Sequence, residues 1–248
     1  MPDSFTIDVL LAACMFLGAA LYTSVGHAGA SAYIALMALF GVAPVVMRPT
    51  ALVLNILVAS FTSFRFVRAG VFRWRTLWPL LIGSFPMALL GGFVQLPGHL
   101  YRPLVGMVLL IAAGRLLWPS AMKSNVAPRD IPVLWGILSG IGIGFLSGLT
   151  GTGGGIFLSP LLLFMGWSEV RTASGVAAVF ILCNSIAGLL GNIASVNALP
   201  ANLPLLAGAV LLGALVGTTL GISRQAPTVI LRALGLVLIV AGIKPIGV

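Results

Sequence analysis

Eight stretches of about twenty mostly apolar residues dominate this chain, near 5–24, 47–66, 76–96, 101–118, 132–149, 171–192, 202–222 and 228–246. A helix needs about 20 such residues to cross the hydrocarbon core of a bilayer. Inside that core every backbone polar group must be bonded, which leaves helices and closed barrels as the only spanning forms. The alternating strands of an outer-membrane barrel are absent from the pattern. Charge agrees with this reading: Asp, Glu, Lys and Arg make up 7% of the residues, against about 25% in a soluble domain. The chain is therefore expected to be an all-α polytopic membrane protein. Its net charge of +9 would suggest nucleic acid in a soluble protein. Here the charges sit between apolar runs, where they orient helices, and no nucleic acid is implied. Cys14 and Cys183 fall inside apolar runs and read as small buried residues, without a disulfide or a metal. No Lys or Arg precedes Arg48, so no basic region of a cleavable signal is read, and the first run is expected to stay as a helix.

Two shorter runs remain, near 30–42 and 155–166, too short to span comfortably. Each follows a long run and a glycine break, "SVGHAGAS" at 24–31 and "LTGTGGGI" at 149–156. Each is followed by a loop, an arginine and another long run. Arg48 then corresponds to Arg171, and Thr50 to Ser174. "WPLLIG" at 78–83 matches "LPLLAG" at 203–208, and "LVGMVLLIAAG" at 104–114 matches "ALGLVLIVAGI" at 233–243. The chain reads as a tandem duplication of roughly 120 residues. The first repeat is 1–118, the linker 119–131 and the second repeat 132–248, each repeat holding four long helices and one short helix after its glycine-rich break.

Basic residues set the orientation. Arg65, Arg68, Arg73 and Arg75 cluster between the second and third long runs, and Arg115, Lys123 and Arg129 flank the linker. Positive loops stay in the cytoplasm. The N-terminus, which lacks Lys and Arg, and the neutral loop at 193–203 are then external. If each short run does the work of one crossing, each half has an odd number of segments and the two halves are inverted. A parallel four-plus-four arrangement with re-entrant short runs stays open. The five tryptophans, Trp74, Trp78, Trp118, Trp135 and Trp167, lie near expected helix ends and read as interface anchors.

Inverted repeats with broken helices at matching positions mark secondary transporters. A break bares backbone N–H groups at the start of the following helix, and with the positive end of the helix dipole they form an anion site. Gly151, Gly153, Gly154 and Gly155 serve this purpose in the second half, Gly26 and Gly29 in the first. Two such sites facing each other near the midplane can hold one small anion. Close helix packing is the competing explanation for the glycines. Alanine at Gly154 is expected to favour the helix wherever the backbone there is already helical.

The stretch from "GLTGTGGGIFLSP" through "LLLFMGWSEVRTASGVAAV" resembles the TauE/SafE family of membrane transporters, the sulfite exporter family. The proline on the short helix, the Gly-x-x-x-x-Arg turn and the Thr/Ser-rich start of the next helix are similar to that family, as is the duplicated plan over nearly the whole chain. The first half departs from it, with "GHAGAS" in place of a second glycine-rich run. The resemblance implies export of small sulfur-containing anions, sulfite or organosulfonates, across a bacterial inner membrane. It calls for no cofactor, and the partners it implies are that anion and the lipid bilayer. A homodimer is left open.

Other residues join the candidate site by type and position. His27 lies inside the first break and can bind anion, carry a proton or make a structural hydrogen bond. Arg48 and Arg171 can attract or gate anions, or snorkel to the interface. Asn55 and Asn184 lie within long runs, where an amide can donate to an anion or bridge two helices. Thr150, Thr152, Ser24 and Ser31 flank the breaks and offer hydroxyls. An intramembrane enzyme is not supported: no H-E-x-x-H motif is present, and Asp3, Asp8, Asp130 and Glu169 all fall at ends or in loops. A passive anion channel remains the alternative to a transporter.

Overall fold

The structure, a computed structural model, describes residues 4–117 and 129–223, with Ile239 and Ile243 beyond them. Among the described residues all regular structure is helical. The α-helices are α1 (Ser4–Thr23), α2 (Ala30–Leu39), α3 (Pro44–Arg68), α4 (Trp74–Phe93), α5 (Gly98–Leu117), α6 (Val133–Thr150), α7 (Gly155–Phe164), α8 (Val170–Gly191) and α9 (Leu203–Ser223). A short 3-10 helix, Ile193–Ala198, lies between α8 and α9. Six of these helices are long and apolar enough to cross a membrane: α1, α3, α4, α6, α8 and α9. They coincide with six of the expected long runs. The run expected at 101–118 is helical within α5, Gly98–Leu117. The run at 228–246, Trp118 and most of the linker lie outside the described residues. The two short runs are the ten-residue helices α2 and α7.

Glycines bring these helices together in pairs. On α9, Gly213 and Gly217 lie against the backbone of Phe16 and Ala20 on α1, and Gly221 against that of Ser24 just past its end. On α6, Gly140, Gly144 and Gly148 lie against Leu80, Ser84 and Ala88 on α4, while Gly83 and Gly91 of α4 meet Ile137 and Phe145. An added Cβ at these glycines would strike a partner carbonyl oxygen. Apolar lipid supplies little drive for helix association, so this close backbone packing is what holds such pairs. Residue numbers rise together on both members of each pair, so α1 runs parallel to α9, and α4 parallel to α6. Arg65 near the end of α3 donates to Leu215 O, Thr218 Oγ1 and Thr219 Oγ1 on the later part of α9.

The core has two centres. One gathers Met15, Tyr33, Ile34, Leu54 and Val210 around α2, and the other gathers Leu77, Leu80, Leu158, Leu162 and Phe180 around α7. The short helices are therefore interior elements. The outer faces of the long helices are apolar as well: Leu17, Phe64, Ile82 and Leu212 are each more than half exposed, as helices bathed in lipid require. Trp74 and Trp135 stand exposed at the first turns of α4 and α6, as interface anchors do. Trp167 does not: it is buried in the α7 core beside Leu163 and Ala173, because the turn after α7 folds back onto that cluster.

Candidate functional site

Both short helices start from the same backbone device. Gly29, with φ 101°, caps α2, and Gly154, with φ 78°, caps α7. As glycines, neither residue supplies a side-chain cap of its own. Gly151 closes α6 in the left-handed region, and Gly26 and Gly153 share that conformation. Residues with a Cβ rarely adopt it, which explains why glycine fills all five positions. The alanine expectation at Gly154 is thereby corrected, since its backbone is not helical. Gly155 is the first helical residue, but a Cβ there would meet Ile181. In α7 the N–H of Phe157 makes the first return bond, to Gly154 O at 3.1 Å. The N–H groups of Gly155 and Ile156 precede that bond, as the leading donors of a helix do.

His27 carries the first break across to the second. Its Nε2 lies 2.9 Å from Gly155 O and 3.1 Å from Ser159 Oγ, and its Nδ1 lies 3.1 Å from Val25 O. The ring is buried and meets Tyr22 edge-on. Asn55, on α3, makes a second bridge. Its Oδ1 accepts the N–H of Ala30 at the start of α2 (3.2 Å). Its Nδ2 donates to Ser185 Oγ on α8 (3.1 Å) and, at 3.5 Å, to Thr152 O in the second break. A Cβ at Gly153 would meet Asn55 Nδ2 at 2.5 Å and Ile181 Cγ2 at 2.8 Å, so the junction is tightly closed. The two breaks, 128 residues apart between His27 and Gly155, thus form one buried polar cluster between the two apolar cores.

The remaining candidates divide. Ser31, on α2, donates to Tyr22 Oη at 2.8 Å inside this cluster. Thr150 and Thr152 pair their hydroxyls at 2.9 Å, and Thr150 also donates to Leu146 O. Ser24 donates to Leu21 O. Asn184 turns its amide onto its own helix, donating to Phe180 O at 3.0 Å, and its buried Oδ1 has no partner among the described residues. Arg171 is exposed in the first turn of α8. Arg48 is buried in α3, so it is not an interface anchor reaching for water. Its guanidinium donates to Gly91 O, Gly92 O and Val94 O at the end of α4 and to Gly148 O near the end of α6, at 2.7–2.9 Å. Carbonyls in a last turn have no intrahelical donor and carry the negative end of the dipole, so one cation satisfies two helix ends at once.

Beside Arg48 opens a cavity of ≈ 280 Å³, lined in part by Gln95, Tyr101, Arg102, Asn192 and Ser195. Tyr101 Oη donates to Thr150 O at 3.0 Å, which ties the cavity wall to the second break. None of these residues stood out in the sequence, nor did Tyr22, Ser159 or Ser185. They are single polar residues in loops and helices, and only the fold brings them to the breaks.

Buried polar breaks inside a bundle of lipid-facing helices define a polytopic membrane protein. Over residues 10–244 the chain matches the family model described as sulfite exporter TauE/SafE, and it belongs to that family of membrane transporters. It is 40% identical over 238 residues to a probable membrane transporter protein, y4hK, of Sinorhizobium fredii (strain NBRC 101917 / NGR234), covering 94% of this chain and 96% of the relative. No solved structure matches the chain significantly.

Proposed function

We propose that this protein is a secondary transporter that exports a small oxyanion of the sulfite or organosulfonate type across a bacterial inner membrane. The anion is held where the two glycine breaks meet. The observation that carries this reading is the bridge from His27 to Gly155 O and Ser159, which joins the breaks of the two halves in one buried cluster. The leading N–H groups of α7, the hydroxyls of Ser159 and Ser185, and the imidazole supply donors of the kind an oxyanion needs.

The two halves, 1–118 and 132–248, form inverted repeats around this cluster. The helix directions support that arrangement. α3 and α4 are joined by a short turn and run oppositely, α3 and α9 share their late ends at Arg65, and α1 follows α9 while α6 follows α4. α1 and α6, the first helices of the two halves, then point in opposite senses. With the four-arginine turn inside, the N-terminus is outside. The closed packing at Gly153 favours a gated carrier over an open pore.

The test is saturable uptake of sulfite into proteoliposomes, with sulfoacetate, sulfate and chloride as competitors. Saturation and competition by sulfoacetate support the reading. Linear flux of all four anions contradicts it and supports a channel. Cysteines at Asn197 and Lys123 should label from opposite faces, and labelling of both from one face contradicts the inverted halves.

A further inference from the structure

The cavity beside Arg48 is distinct from the buried junction of the breaks, and its lining has a chemistry of its own. Buried Arg48 and exposed Arg102 both line it, and no carboxylate lines it among the described residues. Gln95 Nε2 donates to Asn192 Oδ1 at 2.9 Å, and Ser195 Oγ donates to the same oxygen at 2.9 Å. That oxygen is taken by both bonds, which leaves the Asn192 amide hydrogens as donors. Asn192 itself is buried, whereas Gln95 and Arg102 are exposed. Arg48, Arg102 and Asn192 therefore share the lining of a space of ≈ 280 Å³. A water molecule occupies about 30 Å³ of liquid, so the space admits a small oxyanion with part of its hydration shell.

The lining of the cavity also reaches the second break. Arg48 donates to Gly148 O, and Tyr101 donates to Thr150 O, both in the last turn of α6. A Cβ at Gly151 would meet Arg48 Cγ at 3.1 Å. An anion in the cavity would compete with these carbonyls for the guanidinium and so loosen the hold on the turn that leads into Gly151–Gly155.

We propose that this cavity is a second anion site, in series with the break site, where a sulfite-class oxyanion pauses between solvent and the break. The inference rests on the transport reading above and adds a station to it. Exposed Arg102 sets the attraction, and buried Arg48 passes the charge inward.

The test uses the full-length protein in proteoliposomes, with sulfite as the probe. Arg102 and Gln95 are exposed, so replacing them leaves folding intact. Arg102→Gln is expected to raise KM for sulfite about tenfold with maximal rate within about twofold, and Arg102→Lys to restore most of the loss. Gln95→Glu, which sets a carboxylate beside Asn192, should raise KM similarly. Both effects should shrink in 0.5 M inert salt, because exposed charges are screened within about 10 Å already at 0.1 M. Arg102→Cys treated with a cationic methanethiosulfonate should recover the low KM, and the anionic reagent should not, with wild type treated in parallel to account for Cys14 and Cys183. Unchanged KM in Arg102→Gln and Gln95→Glu, with wild type saturable, overturns the vestibule and leaves the break site standing. Wild-type flux that never saturates overturns the break site, and the vestibule with it.

Discussion

The two helix breaks share a backbone plan and differ in what fills it. Each ends a long helix, turns through left-handed glycines and restarts a ten-residue helix on a glycine cap. In the first break a side chain, His27, projects from the turn, and the leading N–H of α2 is already taken by Asn55. In the second, four glycines in five positions leave backbone at the surface of the turn, and His27 reaches into it from the other half. One break supplies a titratable donor and the other a bare helix start. The same asymmetry marks the arginines that follow them: Arg48 is buried on carbonyl oxygens, and Arg171 is exposed. The two breaks therefore share a backbone scaffold and bring different groups to the centre where they meet.

The largest effect that can break this comparison is at Arg48. Arg48→Gln removes a buried cation from four carbonyl oxygens and should cost about 3 kcal/mol or more, read as a lowered Tm in detergent. Arg171→Gln should leave Tm within a degree or two. Equal losses at the two positions would mean that the two arginines share one role. Next are the caps. Gly29→Ala and Gly154→Ala each force a Cβ into the left-handed region, at about 1–2 kcal/mol before any clash. The neighbours add to it, Tyr33 Oη at 2.8 Å for Gly29 and Phe180 Cε1 at 3.0 Å for Gly154. Both variants should melt lower, and a higher Tm for Gly154→Ala would contradict the assigned backbone.

The asparagines give a smaller contrast. Asn55→Ala strands the Ala30 N–H and the Ser185 hydroxyl, a loss of about 1–3 kcal/mol by thermal melting. Asn184→Leu removes an oxygen that has no partner among the described residues and should be neutral or mildly stabilising. The smallest stability effect, at Arg171, is paired with a functional one. Arg171→Gln should express and melt normally while lowering sulfite flux, and normal flux would make Arg171 an interface anchor only.

Much of the fold was legible because a bilayer permits so few forms. Length and apolarity alone placed α1, α3, α4, α6, α8 and α9, and the glycine breaks placed α2 and α7 to within a few residues. What escaped was pairwise. Arg48 looks like any arginine near a helix start, because its partners are backbone carbonyls of Gly91, Gly92 and Gly148, which no residue type announces. Trp167 reads as an anchor until the turn after α7 folds it inward. Asn55 and Asn184 each read as one amide within a long apolar run, yet only Asn55 reaches both breaks. The cavity residues Gln95, Arg102 and Asn192 come from the ends of three helices and acquire meaning only together.

The claim that the anion sits where the breaks meet is tested most directly at His27. Sulfite binding to purified wild type and His27→Gln should be measured by titration calorimetry in one detergent, with Tm recorded on the same samples. Glutamine keeps a donor and an acceptor, so the fold should hold and Tm should stay within a few degrees. The account predicts a sulfite Kd raised at least about tenfold, a loss of about 1.4 kcal/mol of binding. Unchanged affinity in a stable His27→Gln protein would contradict it, and the bridge between the breaks would then be structural alone.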